Sequence, residues 1–209
     1  MDETGTARPV DAVDESLMSG RIHIVGGPGS GMTTLATRLG HLLRAPVHDL
    51  DMIAYATVAG RAAGKRDLGL RRADAERIAD APRWVTEGVY LWWCGPLAER
   101  ADQILWLDIP WRVAVYRILR RHLVLTLAGT NRHPGLVKLA RFAWRTRYYY
   151  LADPHVDLAI IDENDDGAIT RVATQDWLTT YSAKVTRCRT RSEVEAVVAR
   201  LVAQPAGGM

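Results

Sequence analysis

Arg21-Ile22-His23-Ile24-Val25-Gly26-Gly27-Pro28-Gly29-Ser30-Gly31-Met32-Thr33-Thr34 is the stretch on which the architecture of this chain turns. An apolar, β-rich run breaks into glycines, and a helical pattern follows in which Leu35, Leu39, Leu42 and Leu43 share one face and are expected to pack on a sheet. In a strand-loop-helix setting, glycines let the backbone curl until successive N–H groups point inward. The start of the following helix adds its positive dipole end, and together they hold a polyphosphate without side chains. Gly26, Gly29, Ser30, Gly31, Met32, Thr33 and Thr34 are the expected nucleotide contacts, with the Thr33 hydroxyl offered to Mg2+.

One position departs from the pattern G-x-x-x-x-G-K-[ST]: Met32 stands where lysine normally reaches the β and γ phosphates. Methionine has similar length and no charge. Losing one transition-state contact of that kind costs about 3 kcal/mol, or on the order of a hundredfold in rate, so turnover should suffer more than affinity. Three explanations stay open: another cation from the basic helices downstream takes over, the domain binds nucleotide with little turnover, or the residue was introduced to trap a complex.

Working outward from the loop, Val47–Asp51, Arg83–Thr86, Gln103–Ile109 and Lys184–Arg189 read as further strands alternating with helices, which implies parallel strands with crossover helices. Helices are expected over Trp111 to about Leu127 and Gly135 to Tyr150. A last helix to about Ala203 is expected to open on a capping box at Ser192-Glu193-Val194-Glu195. Val156–Ile161 and Ala168–Val172 around Asp165-Asp166-Gly167 suit a hairpin. Residues 1–20, acidic and without an apolar period, read as a disordered tail, and 205–209 as a second flexible end. Between them lies one domain, 21–204, with a lid at about 112–150 and an insertion at about 153–182.

The 209 residues carry 48% hydrophobic and 24% charged side chains, which suits one globular domain and excludes a disordered chain. No apolar run approaches the ~20 residues of a spanning helix, so no membrane role is expected. Two cysteines, Cys94 and Cys188, cannot frame a disulfide scaffold, and a reduced, cytoplasmic protein is expected. A net charge of only +3 argues against a general nucleic-acid binder. The distribution is uneven: from Ile109 to Ala152 there is no Asp or Glu, against eight arginines and Lys138. Such a stretch repels itself unless an anion sits against it, so phosphate, nucleic acid and an acidic lipid surface all come into view. Nucleic acid is the weakest of the functional readings.

Strand ends supply the remaining chemistry, because ligands gather at the carboxyl edge of a parallel sheet. His48-Asp49-Leu50-Asp51 closes the second strand. Asp51 is the candidate to orient, or accept a proton from, an acceptor hydroxyl, and Asp49 sits near Mg2+ or serves structure. Both would otherwise be solubilising residues. Glu87 ends the third strand, placed to sit behind the water shell of Mg2+ or to meet substrate, beside Gly88, which permits close backbone approach. Trp92 and Trp93 follow it and suit a pocket wall, although most of the seven tryptophans should be core. Asp108 tips the fourth strand like a metal-supporting acid, or else caps the helix at Trp111.

In its combined order of motifs the chain resembles the adenylate-kinase-like P-loop kinases. Within them it looks most like small proteins described as DNA topology modulation proteins related to the flagellar regulator. The residues that carry this are Gly26–Thr34, Leu50-Asp51, Trp84–Tyr90, Arg100-Ala101-Asp102 leading to Ile104–Pro110, Arg117–Arg121 and Val185–Ala199. The resemblance implies a three-layer α/β/α P-loop sandwich with a five-stranded parallel sheet in the order 2-3-1-4-5. It further implies ATP and Mg2+ at the loop, a small-molecule acceptor, and a basic lid in which Arg117, Arg120 and Arg121 close over the transferring phosphoryl group. A homodimer is compatible with it.

Overall fold

The structure, a computed structural model, describes residues 20–58, 61–129, 135–152 and 169–203. Its centre is strand β1 (Gly20–Gly26), followed after the glycine loop by helix α1 (Met32–Leu43). Then come β2 (Val47–Asp49), α2 (Leu50–Ala54), a short antiparallel pair β3 (Tyr55–Val58) and β4 (Arg61–Lys65), α3 (Leu68–Ala79), β5 (Arg83–Glu87), α4 (Gly95–Arg100) and β6 (Gln103–Leu107). The chain continues through α5 (Trp111–Leu127), α6 (Leu136–Leu151), α7 (Arg171–Thr179), a 3-10 turn at Ser182–Lys184, β7 (Val185–Cys188) and α8 (Arg191–Ala203).

The main sheet is all parallel in the order β2-β5-β1-β6-β7, which is the 2-3-1-4-5 order of the expected strands. Alternation along each strand divides the core in two. Ile22, Ile24, Val85, Leu105 and Leu107 meet α1 and α8 on one face. Val25, Trp84, Ile104 and Trp106 face the other way, onto a larger cluster with Leu50, Trp93, Leu97 and Leu178. A third cluster joins Ile109 and Ala114 to Tyr149, Tyr150 and Ala173, and fixes α5, α6 and α7 above the sheet's carboxyl edge. No helix of the described residues is long and apolar enough to cross a membrane.

Several expectations need correction. The second strand stops at Asp49 because the Asp49 carboxylate accepts the Asp51 amide at 2.8 Å and starts α2, a capping geometry that periodicity alone does not reveal. Leu42 is 45% exposed, so Leu35 and Leu39 alone of the four leucines are fully buried. The capping box lies two residues earlier than expected: Thr190 Oγ1 accepts the Glu193 amide, and Glu193 accepts from the amides of Arg189 and Thr190. Gly20 belongs to β1 rather than to a tail, while 1–19 and 204–209 lie outside the described residues. Most of the hairpin expected around Asp165-Asp166-Gly167 also lies outside them; Arg171 and Val172, expected in its second arm, open α7 instead, where Thr170 Oγ1 caps the Ala173 amide.

Candidate functional site

The loop between β1 and α1 keeps its amides unspent. Ser30 donates to the Gly27 carbonyl at 3.0 Å, and the Gly31 carbonyl accepts from Leu35. The N–H groups of Gly29, Gly31, Met32, Thr33 and Thr34 find no acceptor among the described residues, and α1 carries no side-chain cap. Gly29 (φ 81°) and Gly31 (φ 103°) adopt the left-handed conformation that turns such amides together. The Ser30 hydroxyl is buried without a partner. This donor set fits a phosphate chain.

The loop's carbonyl side is braced by the two basic helices. Arg117 donates to the Ser30 carbonyl at 2.6 Å, and the Tyr150 hydroxyl donates to the Pro28 carbonyl at 3.1 Å. A Cβ on Gly29 would stand 2.8 Å from Ile118, and one on Gly27 would overlap the Tyr149 and Tyr150 rings. Tyr149-Tyr150 is thus packed on the loop. Arg120 and Arg121 are exposed on α5 and make no hydrogen bond or ion pair among the described residues. Of the three expected lid arginines, therefore, only Arg117 reaches the loop.

Met32 opens α1. Its half-buried side chain packs against the core cluster of Leu35, Ala36 and Leu39, where Val194 and Leu201 also lie. It thus makes apolar contact at the position where the pattern has lysine.

Three carboxylates gather at the tops of β2 and β5. Strand register sets Asp49 beside Glu87, and Glu87 beside Ile24 of β1. Thr33 donates its hydroxyl to Glu87, so the first turn of α1 is tied to this group. Burial pushes the Glu87 carboxyl up to about 7; the Thr33 bond opposes this, and the charges of Asp49 and Asp51 add to it. Asp49 is also raised, first by desolvation, against the pull of the amides it accepts. Asp51 is exposed in the first turn of α2 and accepts a 2.5 Å bond from the Tyr90 hydroxyl. Gly88 (φ 143°) makes this compact: a Cβ there would meet Leu50 at 2.8 Å, so the close approach expected of it is to α2. Trp93 is buried in the core with its ring 5.1 Å from that of Tyr90, which removes it from any open pocket wall; Trp92 remains half-buried beside it.

Asp108 has a different setting. Its two oxygens accept Nε and Nη2 of Arg171 (2.5 and 2.9 Å) and Nε and Nη2 of Arg187 (2.8 and 2.6 Å). Desolvation would raise this carboxyl, yet the two guanidinium groups win and hold it below its ordinary range. It does not cap α5, whose first turn follows Pro110 without a side-chain bond. Arg171 and Arg187 escaped the sequence reading. Arg187 shares a register row with Trp106 and lies 4.3 Å over its ring, a pairing visible only once β7 is placed beside β6. Among the described residues, no group of three or more His, Cys, Asp or Glu side chains is arranged to hold a metal by itself.

A five-stranded parallel sheet in this order, with a glycine loop running from its central strand into a helix, defines a three-layer α/β protein of P-loop architecture. No family model matches the chain, and no curated protein matches it. Among solved structures it is similar to a gluconokinase from Sinorhizobium meliloti 1021, at 15% identity and TM-score 0.47, covering 88% of this chain and 94% of that one. A shikimate kinase from Bacteroides thetaiotaomicron is 16% identical at TM-score 0.41, covering 87% and 95%. A shikimate kinase from Acinetobacter baumannii, in complex with shikimate, is 16% identical at TM-score 0.37, covering 81% and 97%.

Proposed function

We propose that this protein is a Mg-ATP-dependent phosphotransferase acting on a hydroxyl group of a small metabolite or nucleoside-like acceptor. The observation that carries this reading is the row of unspent amides at Gly29 and Gly31–Thr34, tied through Thr33 to the carboxylates at the tops of β2 and β5. The amides would hold the phosphates, and ATP, when bound, supplies the phosphoryl group for transfer. Thr33 would turn its hydroxyl from Glu87 to Mg2+, with Glu87 and Asp49 behind the ion's waters. Crowded, desolvated carboxylates of this kind favour a divalent cation, since it relieves their mutual repulsion.

Asp51, fixed by Tyr90, would orient the acceptor hydroxyl and take its proton, with Trp92 bordering the acceptor. Arg117 would brace the loop, and Arg120 and Arg121, whose donors are open, would swing onto the phosphates and exclude water. In this scheme Asp108 anchors arginines and does not serve the metal. We further infer a cytoplasmic enzyme of the DNA topology modulation type, on the motifs from Trp84 to Tyr90 and Arg117 to Arg121.

A second reading, a nucleotide-dependent regulatory protein with little turnover, is favoured by one observation: Met32 packs in the core and leaves no cation at its place. Nucleotide affinity and ATP turnover, measured with a panel of hydroxyl-bearing acceptors for this chain beside Met32→Lys and Asp51→Asn, separate the two. A kinase should show product, lose it with Asp51→Asn, and gain on the order of tenfold or more in rate with Met32→Lys at little change in affinity. Tight nucleotide binding without product in any variant establishes the regulatory reading, and no binding at millimolar nucleotide ends both.

A further inference from the structure

A cavity of about 390 Å3 opens beyond the carboxyl ends of β6 and β7, lined by Asp108, Trp111, Arg112, Tyr150, Arg171 and Arg189 among others. It is separate from the phosphate loop, since none of Gly26–Thr34 lines it. Helix α5 serves both places with different sides: Ala114, Arg117 and Ile118 meet the loop, whereas Arg112 stands about 140° around the helix from Arg117. Tyr150 is the partition: it lines the cavity while its hydroxyl bonds Pro28.

The cavity is electrostatically one-sided. Arg112, Arg171 and Arg189 line it with a single carboxylate, that of Asp108, to which Arg187 is also bonded. Arg171 and Arg187 spend Nε and Nη2 on it. Arg189 only approaches to 3.6 Å without a hydrogen bond, and Arg112 makes no hydrogen bond or ion pair among the described residues. Two guanidinium forks with open donor edges therefore face a space that already holds an excess of positive charge. The first turn of α5, uncapped by any side chain, adds to it.

We propose that this cavity is a second ligand site, which binds a phosphate monoester between Arg112 and Arg189. Arginine forks match phosphate oxygens two at a time, and two of them suit a dianion better than a single carboxylate. The volume, roughly thirteen times a water's share, exceeds what a bare phosphate fills. The flat walls of Trp111 and Tyr150 would take an organic group attached to it. Asp108 stays the counter-charge of Arg171 and Arg187, keeping those two from collapsing onto the ligand and leaving the outer pair to bind it.

The test is a titration of inorganic phosphate, then phenyl phosphate, into the intact chain, followed by calorimetry and tryptophan fluorescence, with and without saturating ATP. Phosphate binding should persist with ATP present, and phenyl phosphate should bind more tightly than phosphate. Affinity should fall by about tenfold or more in Arg112→Ala and in Arg189→Ala, both surface changes that leave the hydrogen-bonded Arg171 and Arg187 pairs of Asp108 intact. Binding indifferent to both arginines, binding abolished by ATP alone, or none at millimolar probe would overturn the proposal. Should the chain bind no ATP, the arginine variants still decide the matter.

Discussion

The carboxyl edge of the sheet has two poles of opposite character. At the tops of β2 and β5, Asp49, Asp51 and Glu87 crowd together and bond to hydroxyls and amides among the described residues: Thr33, Tyr90 and the start of α2. At the tops of β6 and β7, one carboxylate, Asp108, is enclosed by arginines. The phosphate loop lies between the poles, on β1. Glu87 and Asp49 are held at the cost of raised pKa values, whereas the carboxylate among arginines is held low. The first pole would gain from a cation and the second from an anion, the polarity that the proposed Mg-nucleotide complex and the proposed anionic ligand would use.

The largest break in this comparison is Asp108→Ala. The side chain is 3% exposed, and its removal leaves two half-buried guanidinium groups without their counter-charge. Loss of a buried partner costs 3–5 kcal/mol in general, and because Arg171 and Arg187 reach solvent, about 3 kcal/mol is expected in chemical denaturation. Since the folded pKa of Asp108 lies below its unfolded value, its contribution is complete above the ordinary aspartate range and disappears as pH falls through it. The variant should therefore lose part of the acid sensitivity of the parent.

Glu87→Gln acts on the other pole and with the opposite sign. A folded pKa of about 7 against an ordinary 4.5 means that ionised Glu87 opposes folding above pH 7 and that its protonation restores stability between pH 7 and 4.5. After allowance for solvent screening, Gln should stabilise the chain by about 1–2 kcal/mol at pH 8, with the difference vanishing near pH 4. The difference between the two proteins is the quantity to measure. In the parent, buried His23, whose pKa is lowered to about 4, pulls stability down over part of the same range. Millimolar Mg2+ should shrink the Glu87→Gln difference if the carboxylates gather about the ion; a difference independent of both pH and Mg2+ would contradict this account.

The first pole was partly legible in the sequence and the second hardly at all. Alternation and turn residues place Glu87 at a strand end, and parallel order brings it near the glycine loop. What they miss is that Asp49 is a helix cap, because capping depends on which amide lies within 2.8 Å. Asp108 was visible as an acid after an apolar strand, but its partners come from α7 and β7, 63 and 79 residues away. Arg171 falls in the expected second arm of a hairpin, and Arg187 is one arginine among 24, so neither announces a partner. The role of Met32 was closed to the sequence for the same reason: three explanations stayed open there, and its apolar contact is with a cluster assembled from strands and helices distant in the chain.

The finest test of the contrast is Asp49→Asn, which separates charge from structure. Asparagine caps helices about as well as aspartate, so acceptance of the Asp51 amide survives and stability should change by no more than about 0.5 kcal/mol. The negative charge beside Glu87 is gone, however, and with it one of the causes that raise that carboxyl. Its titration, followed by carbon NMR of labelled glutamate, should move down from about 7, yet remain above the ordinary range because burial, the largest cause, is untouched. An unmoved midpoint would mean that desolvation alone governs Glu87 and that the three acids do not act as one pole. A midpoint falling to the ordinary glutamate value would mean that charge governs it, and would make a bound cation, rather than a proton, the natural partner of the site at neutral pH.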